Sequence, residues 1–116
     1  MSKNYMGTKT KTMQNATAAD ADGLEVDCKI FNWALLTVTG GGTVALDVVF
    51  ECRGTGGTWV ACGAYLTADH STETSTINNP STTATGYHMA VTSYAEIRAR
   101  VDNFSTGTVT VVAELS

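Results

Sequence analysis

The stretch Asn32–Cys52, NWALLTVTGGGTVALDVVFEC, decides how the fold is read. On either side of Gly40-Gly41-Gly42, apolar residues recur at every second position, the period of a strand with one face turned to a core. Three glycines between two such runs suit a three-residue hairpin loop, because a tight reversal needs a residue free to adopt positive φ. The register this predicts pairs Val38 with Val44, Leu36 with Leu46, Ala34 with Val48 and Asn32 with Phe50, an almost wholly apolar face. The other face pairs Thr39 with Thr43, Thr37 with Ala45, Leu35 with Asp47 and Trp33 with Val49. Trp33, Leu35 and Val49 then make an apolar spot on the side expected to meet water. Either another segment of the chain, such as its N-terminal arm, or another subunit must cover it.

The C-terminal run repeats the pattern. Glu96–Phe104 and Thr108–Leu115 flank Ser105-Thr106-Gly107, which reads as a second hairpin with Gly107 in the left-handed position. Ile97, Ala99 and Val101 face inward with Val109, Val111, Ala113 and Leu115, and Arg98 falls opposite Glu114 as a cross-strand ion pair. Between the hairpins, Arg53–Gly57 is a turn into a strand from Thr58 to about Leu66. That strand's expected neighbour is the Phe50 strand, which would bring Cys52 and Cys62 close, both reduced. Residues 67–82 are polar and end in Asn78-Asn79-Pro80-Ser81, the signature of an extended surface loop. A strand from Thr83 to Val91 follows. Residues 1–23 lack a core pattern and form an extended N-terminal arm, an edge strand or a segment ordered by a partner; residues 24–116 form the domain. The fold class expected is all-β, a single β-sandwich or jelly-roll-like domain of about seven or eight antiparallel strands.

Composition agrees. The 116 residues are one domain's worth, with 43% hydrophobic and only 16% charged residues, 11 glycines and one proline, a poor recipe for a helical bundle. No run approaches the ~20 apolar residues of a membrane span and no signal-peptide core follows Met1, so the reading is of a soluble protein made and kept in a cytoplasm. Net charge is −4, unevenly spread. Lys3, Lys9 and Lys11 stand in the first eleven residues without an acid, and the remainder carries four basic against eleven acidic residues, −7. An acidic body excludes a nucleic-acid role, which needs clustered Lys and Arg, and a basic arm on it suits docking onto an acidic neighbour. Three cysteines, Cys28, Cys52 and Cys62, without CxxC spacing make neither a disulfide framework nor a zinc site and read as buried hydrophobes.

Few groups offer chemistry. Asp69-His70-x-x-Glu73 is a weak metal candidate, and His88 beside Tyr87 reads as a half-buried packing residue. Ser71 and Ser75 lack the strained elbow of a nucleophile. Asp20-x-Asp22-Gly23-x-Glu25-x-Asp27 has calcium-like oxygen spacing but departs from the EF-hand pattern; a turn entering a strand accounts for it better. Trp59, Tyr65, Tyr87 and Tyr94 could stack on sugars or pack a core. No catalytic, cofactor or metal residues are therefore expected. The candidate interface is Lys3, Lys9, Lys11, Trp33, Leu35 and Val49.

Five segments recur in fixed order: Val44-x-Leu-x-Val-Val-Phe-Glu51; Trp59-Val60 after the turn; Thr83-x-Thr-Gly86-Tyr87; Ile97-Arg-Ala-Arg-Val101; and Ser105-Thr-Gly107-Thr-Val-Thr-Val111. In this the chain resembles a group of small β-sandwich proteins of tailed bacteriophages and prophages, often encoded beside virion genes. The resemblance spans residues 33–113 and omits the arm. Glu51-Cys-Arg-Gly stands where that group usually has a Ser-x-Asp-Gly-like turn, so no role is carried over for it. The resemblance implies a non-enzymatic virion protein assembled in the bacterial cytoplasm. A capsid decoration or cement protein is expected first, a homo-oligomer (a trimer first) bound to the major capsid protein or other virion subunits. A glycan- or receptor-binding module and a low-copy neck or tail-completion protein are the alternatives. Neither a membrane nor a nucleic acid is an expected partner.

Overall fold

A computed structural model describes residues 8–116. Among the described residues there are nine strands and no helix: β1 (Lys9–Thr17), β2 (Val26–Asp27), β3 (Trp33–Arg53), β4 (Val60–Ala61), β5 (Ala64–Leu66), β6 (Asp69–Thr74), β7 (Thr76–Asn78), β8 (Thr85–Ala90) and β9 (Glu96–Leu115). The domain is all-β and antiparallel. Its sheet runs β1-β9-β3-β8-β5-β6, with β2 on β9 and with β4 and β7 on β3.

Neither expected hairpin forms. β3 passes straight through Gly40–Gly42, β9 through Ser105–Gly107, and the two strands pair with each other from Ala34 opposite Leu115 to Arg53 opposite Glu96. The inward faces are the ones the alternation marks: Ala34, Leu36, Val38, Leu46, Val48 and Phe50 from β3, and Ile97, Ala99, Val101, Val109, Val111, Ala113 and Leu115 from β9, are all buried. Period two assigns faces but not partners. The long pairing sets bulky residues against small ones, Phe50 opposite Ala99, Leu36 opposite Ala113 and Leu115 opposite Ala34, where the local hairpin would have set Leu36 against Leu46. Such size complementarity fills a core without overpacking it.

The glycines instead let both strands bend at one place. The β3–β9 register shifts between Gly41 and Asp47, opposite the residues from Asp102 to Thr108, and Asn103 and Gly107 have φ of 52° and 86°. A Cβ on Gly107 would lie 2.7 Å from the Thr43 carbonyl oxygen and 2.9 Å from the Val44 Cα. One bend is therefore seated in the other, and any side chain at Gly107 meets both a left-handed backbone and a backbone clash. Residues 79–81 stitch the outside of the corner, with Asn79 N–H donating to the Leu46 carbonyl at 2.8 Å and Gly40 N–H to the Ser81 carbonyl at 2.7 Å. Beyond the corner the sheet closes over itself. Phe50, past the bend, packs edge-to-face on Tyr87 of β8 with ring centroids 5.7 Å apart, and the Cys62 and Met89 sulfurs are 3.7 Å apart. The result is a two-layered sandwich made from one continuous sheet.

Other expectations fare variously. β8 lies within the predicted Thr83–Val91, and Val60–Ala61 pairs with β3 at Cys52 and Glu51, as the neighbour relation required. The expected Thr58–Leu66 strand is broken into β4 and β5 at Cys62-Gly63. Residues 67–82 are not one open loop: Asp69–Thr74 and Thr76–Asn78 are polar strands paired with β5 and β3. Along the arm, Lys9–Thr17 is an edge strand on β9. Its Met13 and Gln14 are buried, and the Gln14 amide donates to the carbonyls of Ala99 (2.8 Å) and Ala21 (3.1 Å). Residues 1–7, including Lys3, lie outside the described residues.

Candidate functional site

The sandwich presents two outer faces, and each carries one of the two tryptophans. Past the bend, odd-numbered residues of β3 and even-numbered residues of β9 point outward and gather all three arginines. Arg98 Nε donates to the Glu51 carboxylate at 2.8 Å, and Arg100 reaches the same carboxylate at 3.3 Å and Asp102 at 3.1 Å. Arg53 joins Glu96 at 2.8 Å and Glu25 at 3.1 Å, while Asp22 lies 3.7 Å from Arg98. The cross-strand partner of Arg98 is thus Glu51 and not Glu114, which pairs with Leu35. Arg98 and Glu51 are only 13% and 11% exposed, so this pair keeps more of its Coulomb energy than a solvated one. Trp59 lids the network, with the guanidinium carbons of Arg53 and Arg98 at 4.5 and 4.3 Å from its ring centroid. Its π surface is already engaged by cations.

The same network absorbs the acidic cluster at residues 20–27. Asp22 and Glu25 face arginines, Asp20 accepts from the Phe104 N–H at 2.9 Å, and Asp27 accepts from the Lys29 N–H at 2.9 Å. That backbone hydrogen bond, with help from the Lys29 ammonium, holds the Asp27 carboxyl below its ordinary range. The carboxylates diverge onto separate partners. Among the described residues no group of three or more His, Cys, Asp or Glu side chains is placed to hold a metal ion.

The other outer face, built by β3 before its bend together with β8, β5 and β6, is open. Trp33 is 48% and Leu35 37% exposed. His88 lies opposite Leu35 on one side and Tyr65 on the other, and it is the hub of an aromatic cluster. Its ring centroid is 6.1 Å from Trp33, 6.0 Å from a stacked Tyr65 and 4.4 Å from His70. The sequence assigned His88 to packing and His70 to a polar loop; the sheet brings the two together. His70 comes without its expected companions: the Asp69 carboxylate accepts from the Ser71 hydroxyl (2.6 Å) and N–H (3.0 Å), bonds that keep its pKa low, and Glu73 stands opposite Tyr65.

Of the expected interface residues, Trp33 and Leu35 share this face. Val49 does not join them, because the hairpin that would have paired it with Trp33 is absent; it lies beyond the bend, between Arg100 and Thr76. Lys11 is exposed on the β1 edge. Lys9 is drawn back onto the body, its ammonium 3.4 Å from the Asp27 carbonyl and 6.0 Å from the Phe31 ring centroid. The aromatic set proposed for stacking also divides. Tyr87 and Tyr94 pack against the core, burial raising both phenols, Tyr94 to about 12. Trp59 is capped by arginine, and only Tyr65 belongs to the open face. The three cysteines are buried and unbridged; burial pushes the Cys28 thiol up to about 11 and that of Cys62 higher still, which leaves these two as packing groups and poor nucleophiles.

These features define a class, an all-β domain made of one bent sheet with a closed, charge-paired face and an open, aromatic one. Two solved structures share that fold. The SPBc2 prophage-derived protein YomS superposes with a TM-score of 0.81 at 17% identity, over 93% of this chain and 91% of that one. The PBSX exported protein XepA superposes with a TM-score of 0.80 at 17% identity over 94% of this chain, which spans 38% of XepA's length. No family model and no curated protein sequence matches the chain.

Proposed function

We propose that this chain is a non-enzymatic structural protein of a bacteriophage or prophage particle, a decoration or cement subunit that docks on the major capsid protein or another virion subunit. The observation that carries the reading is the end-to-end fold similarity to a prophage-derived protein of the same length class. The open face supports it. A docking subunit needs a rigid body and an exposed aromatic–aliphatic anchor, and Trp33 with Leu35 supplies one on regular strands instead of loops. A trimer is the first oligomer to test. A second reading rests on the exposed Trp33 and Tyr65: the same face grips a host glycan by stacking on sugar rings.

Copy number tests the proposal. Quantitative mass spectrometry of purified particles should find the chain in numbers comparable to the major capsid protein. A handful of copies would move it to the neck or tail, and absence from particles would refute the virion reading. A glycan-array signal lost in Trp33→Ala with the fold intact would select the second reading.

A further inference from the structure

We propose that His70 and His88 form a two-imidazole site for a divalent transition-metal ion of the zinc, copper or nickel class, a property independent of the virion reading. The two residues are 18 positions apart in the sequence. β5 separates their strands, yet the rings meet because Leu66 pairs with Asp69 and Tyr65 with His88.

Three features of the pair suit a metal. The first is spacing. Two imidazoles bound to one ion through nitrogen at roughly 2.0–2.1 Å set their ring centroids about 4.5 Å apart for ligands at a right angle, and about 5.2 Å apart at the tetrahedral angle. The observed centroid separation is 4.4 Å, with the planes at 61°. The second is the tautomer. His70 Nε2 lies 3.0 Å from the Thr67 carbonyl oxygen, so that nitrogen donates its proton there and Nδ1 keeps a free lone pair. A backbone carbonyl orienting the remote nitrogen is the usual support of a ligating histidine. The third is availability. The His88 imidazole makes no hydrogen bond among the described residues, and the ring is held by Tyr65 and Trp33 instead of by a polar partner. Imidazole pairs of this kind suit borderline ions and not calcium or magnesium, which want oxygen. With two protein ligands, the remaining positions go to water or to a side chain from a bound partner.

The experiment uses the full-length, tag-free chain, titrated with zinc chloride by calorimetry and with copper sulfate followed by electron paramagnetic resonance. One equivalent should bind, with copper showing splitting from two nitrogens. His70→Ala and His88→Ala should each weaken binding at least about tenfold, and the double variant should abolish it. His88→Phe keeps an aromatic ring between Tyr65 and Trp33, so loss of binding in that variant, with an unchanged melting temperature, separates ligation from folding. Binding that survives in the double variant, a copper signal with one nitrogen, or no binding at all would overturn the site.

Discussion

The two tryptophans of this chain lie on opposite outer faces and have opposite fates. Trp59 is covered by two guanidinium groups that are themselves anchored by Glu51, Glu96 and Glu25. Trp33 has a histidine at its edge and water over about half its surface. The difference shows which face of the sandwich keeps surface free for a partner. A face whose charges and aromatic ring satisfy one another contributes stability and has little left to offer a partner. A face that leaves an indole and a leucine in water gives up that stability unless something covers them.

Both faces depend on the shared corner, and breaking it should have the largest effect. Gly107→Ala forces a side chain into a left-handed position against the Thr43 carbonyl and should cost roughly 2–4 kcal/mol. Urea unfolding would show this as a lowered midpoint at constant slope. Next comes the closed face. Glu51→Ala leaves the guanidiniums of Arg98 and Arg100 short of their common carboxylate; with these side chains mostly buried, a loss of about 2–3 kcal/mol is expected. Because the pair is largely buried and so little screened, raising the salt concentration should narrow the gap to wild type only slightly. Trp59→Ala removes two cation–π contacts near the surface and should cost about 1–2 kcal/mol. Trp33→Ser should change stability by less than about 0.5 kcal/mol, since the ring is half in water already. The contrast between the two tryptophan variants, read in one denaturation series, is the sharpest form of the comparison. Equal losses would erase it.

How much of this was legible in the sequence depends on which physical signal wrote it. Burial writes period two, so the inward residues from Ala34 to Cys52 and from Ile97 to Leu115 could be read directly, as could a single all-β domain. Pairing writes almost nothing locally. The alternation around Gly40–Gly42 satisfies a hairpin and a long bent strand alike, and what selects between them, alanine opposite phenylalanine or leucine on a strand about fifty to eighty residues away, has no local trace. Edge strands leave the weakest mark. Asp69–Thr74 is nearly all exposed, so it reads as loop, and with it went the sign that His70 reaches His88. The two mistaken hairpins also displaced Val49 and the ion partner of Arg98, although the kind of interaction, a cross-strand carboxylate–guanidinium pair, was foreseen. In Lys9–Thr17, threonine and lysine alternate without an apolar face, and only Met13 hints that the segment closes the β9 edge.

The open face is the centre of the account, and its most direct test is incorporation. Purified particles that lack this chain would be mixed with wild type, Trp33→Ser or Trp59→Ala protein, and bound copies counted by quantitative mass spectrometry after sedimentation. Folded Trp59→Ala should decorate particles at the wild-type copy number while Trp33→Ser, equally folded, is left in the supernatant. Wild-type copy number for Trp33→Ser would contradict it.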